Sequence, residues 1–277
     1  MVLWIITALS AVLTVAGNLS CGTFTGYDWL LWLPLGFAGA FVALLLLYFC
    51  ALCLACAFVD LNKPQKKDSR FYRGLLNLTA EAVMKLLPVR MHTAGLEKVP
   101  KTGPFLLVCN HLSQLDPVLL LYYFRESKLS FVTKRENMSM LIVGKLMHKT
   151  MCQPINREND REALKTILRC VELVGKDRVP MAVFPEGYTS KDHLLHGFRH
   201  GVFKIAQKTK VPIVVCTVQN TRKVARNALK LKSTDVHLHL VDVILPEDYQ
   251  GMTTVELGEK VHAMMAADLG PDLVADA

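Results

Sequence analysis

Short apolar runs alternate with longer amphipathic segments from residue 101 onward. A run such as FLLVCN (105–110) is too short for a helix and follows turn residues, so it predicts a buried strand. Strands predicted in this way lie at residues 105–110, 129–134, 151–155, 179–187, 211–218 and 236–244. Helices are predicted at residues 116–127, 139–149, 159–177, 198–210 and 253–269. The clearest is 159–177, in which Ala163, Ile167 and Val174 fall on one helical face.

Strands that alternate with helices are typical of an α/β domain with a largely parallel central sheet flanked by helices. We therefore predict such a domain over residues 101–277, preceded by a basic linker and a helix within residues 61–100. The helix covers about residues 71–87 and ends before Pro88. Sheets of this kind bind ligands at the carboxyl ends of their strands. Residues that directly follow a strand are thus the first candidates for a functional site.

Residues 1–60 have a different pattern, in which two long apolar runs are joined by a polar, glycine-containing segment. The first run, 2–17, is near the lower length limit for a membrane-spanning helix, and the second, 29–59, is long enough to span with tilt. They predict an N-terminal membrane helical hairpin that anchors the chain. A signal peptide is disfavoured because no basic start precedes the first run. A hairpin embedded in one leaflet stays open.

Charge is distributed as unevenly as hydrophobicity. All 32 Lys and Arg residues lie beyond residue 62, together with 22 of the 24 Asp and Glu residues. Five of the basic residues fall within 61–73, so the positive-inside rule places residues 60–277 on the cytoplasmic side of the membrane. A basic domain suits phosphate groups, anionic lipid or nucleic acid. We predict no nucleic-acid partner, because the sequence has no recognised nucleic-acid-binding motif.

The cysteine and histidine clusters predict no metal site. Cysteines in CALCLAC (50–56) lie inside an uncharged apolar run, where they are expected to pack as small apolar residues. The histidines of HLLHGFRH (193–200) have no evident acidic or cysteine ligand beside them and are expected to be solvated. The remaining cysteines occur singly in apolar contexts and are predicted to be core residues of a reduced domain; they are Cys109, Cys152, Cys170 and Cys216.

The segment CNHLSQLDP (109–117) follows the first predicted strand and contains the pair His111 and Asp116. In one continuous helix their side chains would point about 140° apart, so pairing them requires a strand-to-helix turn. A carboxylate on one imidazole nitrogen fixes the tautomer and leaves the other nitrogen to take a proton. This pair therefore predicts a general base acting on a hydroxyl. In a structural interpretation, Asp116 is the N-cap of a helix with Pro117 at its first position.

The segment NHLSQLD resembles the NHxxxxD motif of the glycerolipid acyltransferases, the family of the 1-acylglycerol-3-phosphate acyltransferases. Further blocks of that family are matched in the same order along about residues 71–220. They are Lys134 followed by QPINR (153–157), FPEG (184–187), Phe198 with Gly201, and VPIV (211–214).

The resemblance implies a membrane enzyme that transfers a fatty acyl chain to the free hydroxyl of a lysophosphatidate-like acceptor, giving phosphatidate. The donor would be the thioester of acyl-CoA or acyl carrier protein, and membrane lipids would be its partners. His111 would remove the hydroxyl proton, and Asp116 would orient His111. No metal or redox cofactor is implied.

The resemblance also implies a set of substrate-binding residues. Arg157, helped by Lys134, would bind the acceptor phosphate, and its guanidinium can do so with two parallel hydrogen bonds. Glu186 and Gly187 would position the glycerol. Asn110 or nearby backbone amides would stabilise the oxyanion.

One block departs from the family pattern. The chain reads FPEGYTS where the family usually has FPEGTRS, so Tyr188 and Thr189 replace Thr-Arg and a cation is missing. Lys191 and Arg199 are candidates to replace it. The acceptor could therefore be another lysolipid or glycerol 3-phosphate. An alternative of a different class is a non-catalytic basic membrane adaptor that binds anionic lipid.

Overall fold

Two units make up the structure, a computed structural model that describes residues 1–275. The first unit is Met1–Lys63, and the second begins at Pro64. The first contains two helices, α1 (Val2–Ser20) and α2 (Trp29–Ala57), joined by a short turn. Each helix is long and apolar enough to cross a membrane. The predicted N-terminal helical hairpin is thus confirmed.

Polar residues spaced four apart lie along one face of α1. Ser10, Thr14 and Asn18 are buried, and the side chains of Ser10 and Thr14 each donate to the backbone carbonyl four residues earlier, at 2.7 Å. A Cβ atom added to Gly36 of α2 would lie 3.1 Å from the Thr14 methyl group. Small residues at this crossing let the helices approach closely, as in membrane helix pairs.

The second unit is built on one sheet. Within residues 64–275 its strands are β1 (Val89–Ala94), β2 (Leu106–Cys109), β3 (Ser130–Lys134), β4 (Gln153–Ile155), β5 (Met181–Val183), β6 (Ile213–Gln219) and β7 (Thr234–Ile244). Their spatial order is β1-β7-β6-β2-β5-β3-β4. Neighbouring strands are parallel except β6 and β7. The predicted largely parallel sheet is confirmed. Because β2 to β6 all run in the same direction, their carboxyl ends lie along one edge of the sheet.

Helices cover both faces of the sheet. They are α3 (Arg70–Leu86), α4 (Leu115–Tyr123), α5 (Val143–Lys149), α6 (Asp160–Gly175), α7 (Lys204–Thr209), α8 (Thr221–Ala228) and α9 (Thr254–Leu269). Alternate residues of a strand point to opposite faces. Leu106 and Val108 of β2 therefore join the core under α6, α7 and α9, whereas Leu107 and Cys109 join the core under α3 and α4.

The four cysteines predicted in the core of the domain are buried there. Burial raises the pKa of each thiol above its ordinary value, and for Cys170 the pKa reaches about 12. They therefore act as small apolar residues.

Several predicted elements are wrong in extent. The strand predicted at 179–187 ends at Val183, because Pro185 offers no backbone N–H and Gly187 adopts φ = 80°. The helix predicted at 198–210 begins as a tighter 3₁₀ turn, His200–Phe203. The prediction missed β1 and α8 entirely. The first pairs with β7 at the edge of the sheet, within residues assigned to a linker and helix.

Candidate active site

A His–Asp pair lies where β2 leaves the sheet. Residues 110–114 form a turn between β2 and α4, and this turn brings Nδ1 of His111 to 2.8 Å from Oδ2 of Asp116. The ring of His111 stacks on Phe184, with centroids 4.2 Å apart. Within residues 1–275 Nε2 of His111 has no hydrogen-bond partner, so this nitrogen is left for a substrate.

Asp116 is fixed by more than the imidazole. Its Oδ2 also accepts the backbone N–H groups of Leu112 (2.7 Å) and Ser113 (2.8 Å), and its side chain is 0% exposed. A buried carboxylate with three donors holds one orientation. It therefore fixes the ring of His111 and favours a proton on Nδ1.

The expectation that Asp116 caps the helix is wrong. Helix α4 begins at Leu115, one residue earlier, after the N-cap residue Gln114. The hydroxyl of Ser113 accepts the N–H of Leu115 at 3.0 Å. Because the carboxylate of Asp116 folds back onto the preceding turn, it serves His111 and the loop instead of the helix start.

Asn110 connects two strands. Its side chain accepts the N–H of Val218 at 2.7 Å and donates to the carbonyl of the same residue at 3.0 Å. The residue is 2% exposed. Its amide is therefore engaged with β6, and this geometry favours a positioning role over direct contact with an oxyanion. The loop amides that follow Asn110 are also engaged, since carboxylates accept them.

Glu186 holds the same turn between β2 and α4 through a hydrogen bond. Its Oε1 accepts the N–H of His111 at 2.8 Å, and its Oε2 accepts the N–H of His196 at 3.2 Å. The residue is 1% exposed. Burial raises the pKa of Glu186 to about 7, although the two backbone hydrogen bonds act in the opposite direction. Both oxygens face the protein, which favours a positioning role for Glu186 over a contact with glycerol.

Glu186 gives the protein a pH-dependent stability. The ordinary pKa is 4.5, so between 4.5 and about 7 the folded chain binds more protons than the unfolded chain. The free energy of unfolding then falls as pH rises through this window, by about 3 kcal/mol in total. Glu186→Gln is expected to remove this slope in thermal unfolding of detergent-solubilised protein. The exposed Glu126→Gln is the control. An unchanged slope in Glu186→Gln would refute the assignment.

A cavity of about 360 Å³ lies at the end of β5, where Val183 and Pro185 line it. Phe184, which stacks on His111, also lines this cavity. Arg157 and Arg199 line it too, and Nη1 of Arg199 donates to the backbone carbonyl of Arg157 at 3.2 Å. Burial lowers the pKa of Arg157, and the positive charge of Arg199 lowers it further. Two neighbouring cations of this kind form a site for an anion.

Arg199 lies directly against Gly187. A Cβ atom at Gly187 would come within 2.8 Å of Cδ of Arg199, so glycine is required for this packing. Neither Tyr188 nor Thr189 is among the described residues that line the cavity. Of the two candidates to replace the missing cation, Arg199 therefore has the supporting geometry.

Of the seven predicted site residues, Arg157 and Gly187 line the cavity. The other five are not among the described lining residues: Asn110, His111, Asp116, Lys134 and Glu186. Lys204 and Phe184 also border the cavity but are not among the predicted site residues, although Phe184 lies in the matched FPEG block. Lys134 is half exposed, and its Nζ lies 3.2 Å from Glu136. It is not among the described residues that line the cavity. The geometry therefore favours Arg199 over Lys134 as the partner of Arg157.

Gly187→Ala is expected to displace Arg199. The new methyl group would overlap the Arg199 side chain, and the left-handed backbone at φ = 80° would add about 1 kcal/mol of strain. We expect a KM for a phosphate-bearing acceptor raised about tenfold, since one charge-assisted contact is lost. Gly197→Ala is the matched control, because a Cβ there meets nothing within 4 Å. Equal kinetics in both variants would contradict this role for Gly187.

The histidine-rich loop does not bring its three imidazoles together around one ligand set. Nε2 of His196 bonds Oδ1 of Asp192 at 2.9 Å, whereas Nε2 of His200 lies 3.5 Å from Glu259. Within residues 1–275 no group of three or more His, Cys, Asp or Glu side chains is arranged to hold a metal ion.

The segment that carries this site has known relatives. Residues 90–219 match the family model described as Acyltransferase. Curated relatives include chloroplast 1-acyl-sn-glycerol-3-phosphate acyltransferases. That of Brassica napus is 37% identical over 131 residues, covering 47% of this chain and 37% of the relative. That of Arabidopsis thaliana is 32% identical over 169 residues, covering 60% of this chain and 46% of the relative. The chain thus spans less than half the length of each of these two relatives.

A solved structure has the same fold. The crystal structure of the 1-acyl-sn-glycerophosphate (LPA) acyltransferase PlsC from Thermotoga maritima has a TM-score of 0.61 with 21% identity. The match covers 71% of this chain and 78% of that one. The likeness establishes the α/β architecture.

Proposed function

We propose that the protein transfers a fatty acyl chain from a thioester to the free hydroxyl of 1-acylglycerol 3-phosphate, forming phosphatidate. The observation that carries this proposal is the cavity that joins Phe184, stacked on His111, to the cations Arg157 and Arg199. Through the Phe184 ring, this cavity connects a site for a phosphate to a base for a hydroxyl. The names of the curated relatives support the same acceptor.

In the proposed reaction His111 acts as general base. Its Nε2 takes the acceptor's hydroxyl proton while the hydroxyl oxygen attacks the thioester carbonyl carbon. The tetrahedral intermediate then collapses, the C–S bond breaks, and the leaving thiolate takes the proton back from Nε2. The products are an ester and a free thiol. Asp116 orients the ring and stabilises the imidazolium, while Glu186 and Asn110 hold the loop in place.

Binding of the acceptor phosphate is proposed for the paired guanidinium groups. Arg157 is half-buried and Arg199 is an exposed cation close to it, and a doubly charged phosphate would relieve their mutual repulsion. Lys204 adds a third cation at the cavity wall. A phosphate held here, beside Phe184, would leave the glycerol backbone to extend toward His111. This arrangement supports a phosphate-bearing acceptor over a neutral one.

The donor and the membrane topology belong to the same proposal. Acyl-CoA or acyl carrier protein would supply the acyl thioester, with no metal or redox cofactor. The basic residues that follow α2 support a cytoplasmic position for the second unit. The non-catalytic adaptor is disfavoured, because lipid adhesion does not require a buried carboxylate held on an imidazole.

The test is acyl transfer by the full chain in nanodiscs, with acyl-CoA and acyl-carrier-protein donors offered separately. Acceptors are 1-acylglycerol 3-phosphate, glycerol 3-phosphate and 1-acylglycerophosphocholine. Phosphatidate formed from the first acceptor at the highest kcat/KM is the expected result. A higher kcat/KM for either of the others would overturn the acceptor, and no transfer from either donor would overturn the proposal.

A further inference from the structure

A basic segment tipped by leucines projects from the second unit. We call residues 221–232 (TRKVARNALKLK) the leucine-tipped segment; it consists of α8 and the turn after it. Leu229 is 89% exposed and Leu231 is 95% exposed. The turn is defined by hydrogen bonds, because Leu231 donates its N–H to Ala228 at 3.0 Å and Lys232 donates to Asn227 at 2.9 Å. Leucine side chains held in water by an ordered turn indicate an interaction surface.

The segment carries a dense positive charge. Its basic residues are Arg222, Lys223, Arg226, Lys230 and Lys232, and all of them are exposed. The surrounding stretch, residues 193–234, contains no Asp or Glu. The opposite side of α8 is buried through Thr221 and Val224, so the cations lie on the outer side with the leucines. The surface is therefore complementary to a negatively charged partner.

The leucine-tipped segment directly follows β6. It therefore lies at the edge of the sheet that is formed by the carboxyl ends of the parallel strands, where the candidate active site also lies. The guanidinium of Arg222 donates to the carbonyl of Ser190 at 2.7 Å, and Ser190 donates its N–H to the carbonyl of His111, also at 2.7 Å. Two hydrogen bonds thus connect α8 to the base. A surface that receives this segment would lie close to the mouth of the site.

A second exposed apolar segment lies at the same edge. Residues 140–143 follow β3, and Leu141 among them is 66% exposed. Strands β2 and β5, whose ends carry His111 and Glu186, lie between β6 and β3 in the sheet. The candidate active site is therefore flanked by exposed leucines on two loops.

We propose that the leucine-tipped segment docks on an anionic lipid bilayer and brings the edge of the sheet with the active site onto it. Its cations would contact anionic headgroups, while Leu229 and Leu231 would enter the boundary between headgroups and acyl chains. Alternation of leucine and lysine in LKLK favours this occupant, since lysine stems can lie along the interface while their charges stay in water. An acidic protein would match the charge but would leave two isolated leucine tips without a pocket.

The first test measures whether the tip enters lipid. The full chain carrying Leu231→Trp is placed in nanodiscs that contain phosphatidylglycerol with brominated acyl chains, which quench indole fluorescence on contact. Emission of the wild type, from its native tryptophans, is subtracted. We expect the added emission to be quenched in these nanodiscs and to be quenched much less with brominated phosphatidylcholine alone. An unquenched indole in the anionic nanodiscs would overturn the proposal.

Charge variants supply the matched comparison. Arg226→Gln/Lys230→Gln/Lys232→Gln, added to Leu231→Trp, is expected to abolish the quenching. The control is Lys101→Gln/Lys176→Gln/Lys208→Gln, a triple of exposed lysines at the opposite edge of the sheet. Equal loss in both triples would show a general charge effect and would overturn the assignment. If soluble acyl carrier protein, added without lipid, changed the emission of the introduced indole, the assignment of the segment to lipid would also be overturned.

Activity separates this inference from the proposed function. The charge triple is expected to lower transfer to a long-chain acceptor in anionic nanodiscs by roughly tenfold, as three headgroup contacts are lost. Transfer to a water-soluble short-chain acceptor is expected to be unchanged, and a loss there as well would overturn docking as the cause. A wild type that transfers nothing while its introduced indole is quenched would refute acyl transfer and leave the docking intact.

Discussion

His111→Ala is expected to lower kcat for acyl transfer by about a thousandfold, the usual contribution of a general base. Without Nε2, the acceptor hydroxyl must attack as a neutral alcohol, and no group stabilises the proton that it loses. KM for the acceptor is expected to change little, because the phosphate contacts stay in place. Steady-state kinetics in nanodiscs, with both substrates varied, measure the effect.

Two variants make the His111 result interpretable. Asp116→Asn is expected to lose much of the activity as well, because an amide does not stabilise the imidazolium as a carboxylate does. His237→Ala removes an exposed imidazole on β7 and is expected to leave kcat unchanged. Thermal unfolding of each variant establishes that it is folded. A folded His111→Ala protein with full activity would rule out the base.

Arg157→Ala and Arg199→Ala are each expected to raise the acceptor KM by about tenfold to a hundredfold, the loss of a charged hydrogen bond. The KM of the thioester donor is expected to stay the same, because the paired cations face the acceptor phosphate. Both guanidinium groups would bind one phosphate, so the double variant is expected to lose less than the product of the single losses.

Two control substitutions separate phosphate binding from general charge. Arg161→Ala removes an exposed cation in the first turn of α6 and is expected to leave the acceptor KM unchanged. Arg157→Lys keeps the charge but cannot form two parallel hydrogen bonds, so an intermediate KM is expected. If Arg157→Ala raised the donor KM instead, the phosphate assignment would be wrong.

The core strands and amphipathic helices could be predicted from the sequence. β2 and β6 are continuous apolar runs because parallel strands are buried on both faces. The amphipathic period of α6 follows from its single buried face. The turn between His111 and Asp116 was also predictable, since one helix cannot pair residues five apart.

The remaining features depend on tertiary contacts that no local pattern records. β1 is an exposed edge strand with a polar sequence, VRMHTA, and it forms only because β7 is available beside it. The contact of Arg199 with Gly187 joins two segments through the cavity. Glu186 looked like a contact to substrate, but its oxygens are used by two backbone amides of separate loops.

The most direct test of phosphate recognition by Arg157 and Arg199 compares two acceptors that differ only in the phosphate. The measured quantity is the ratio of kcat/KM for 1-acylglycerol 3-phosphate to that for 1-acylglycerol, in the wild type and in Arg157→Ala/Arg199→Ala. We expect a wild-type ratio of about a hundred or more, and a ratio near one in the double variant. Equal use of both acceptors by the wild type, or a ratio that survives in the double variant, would contradict it.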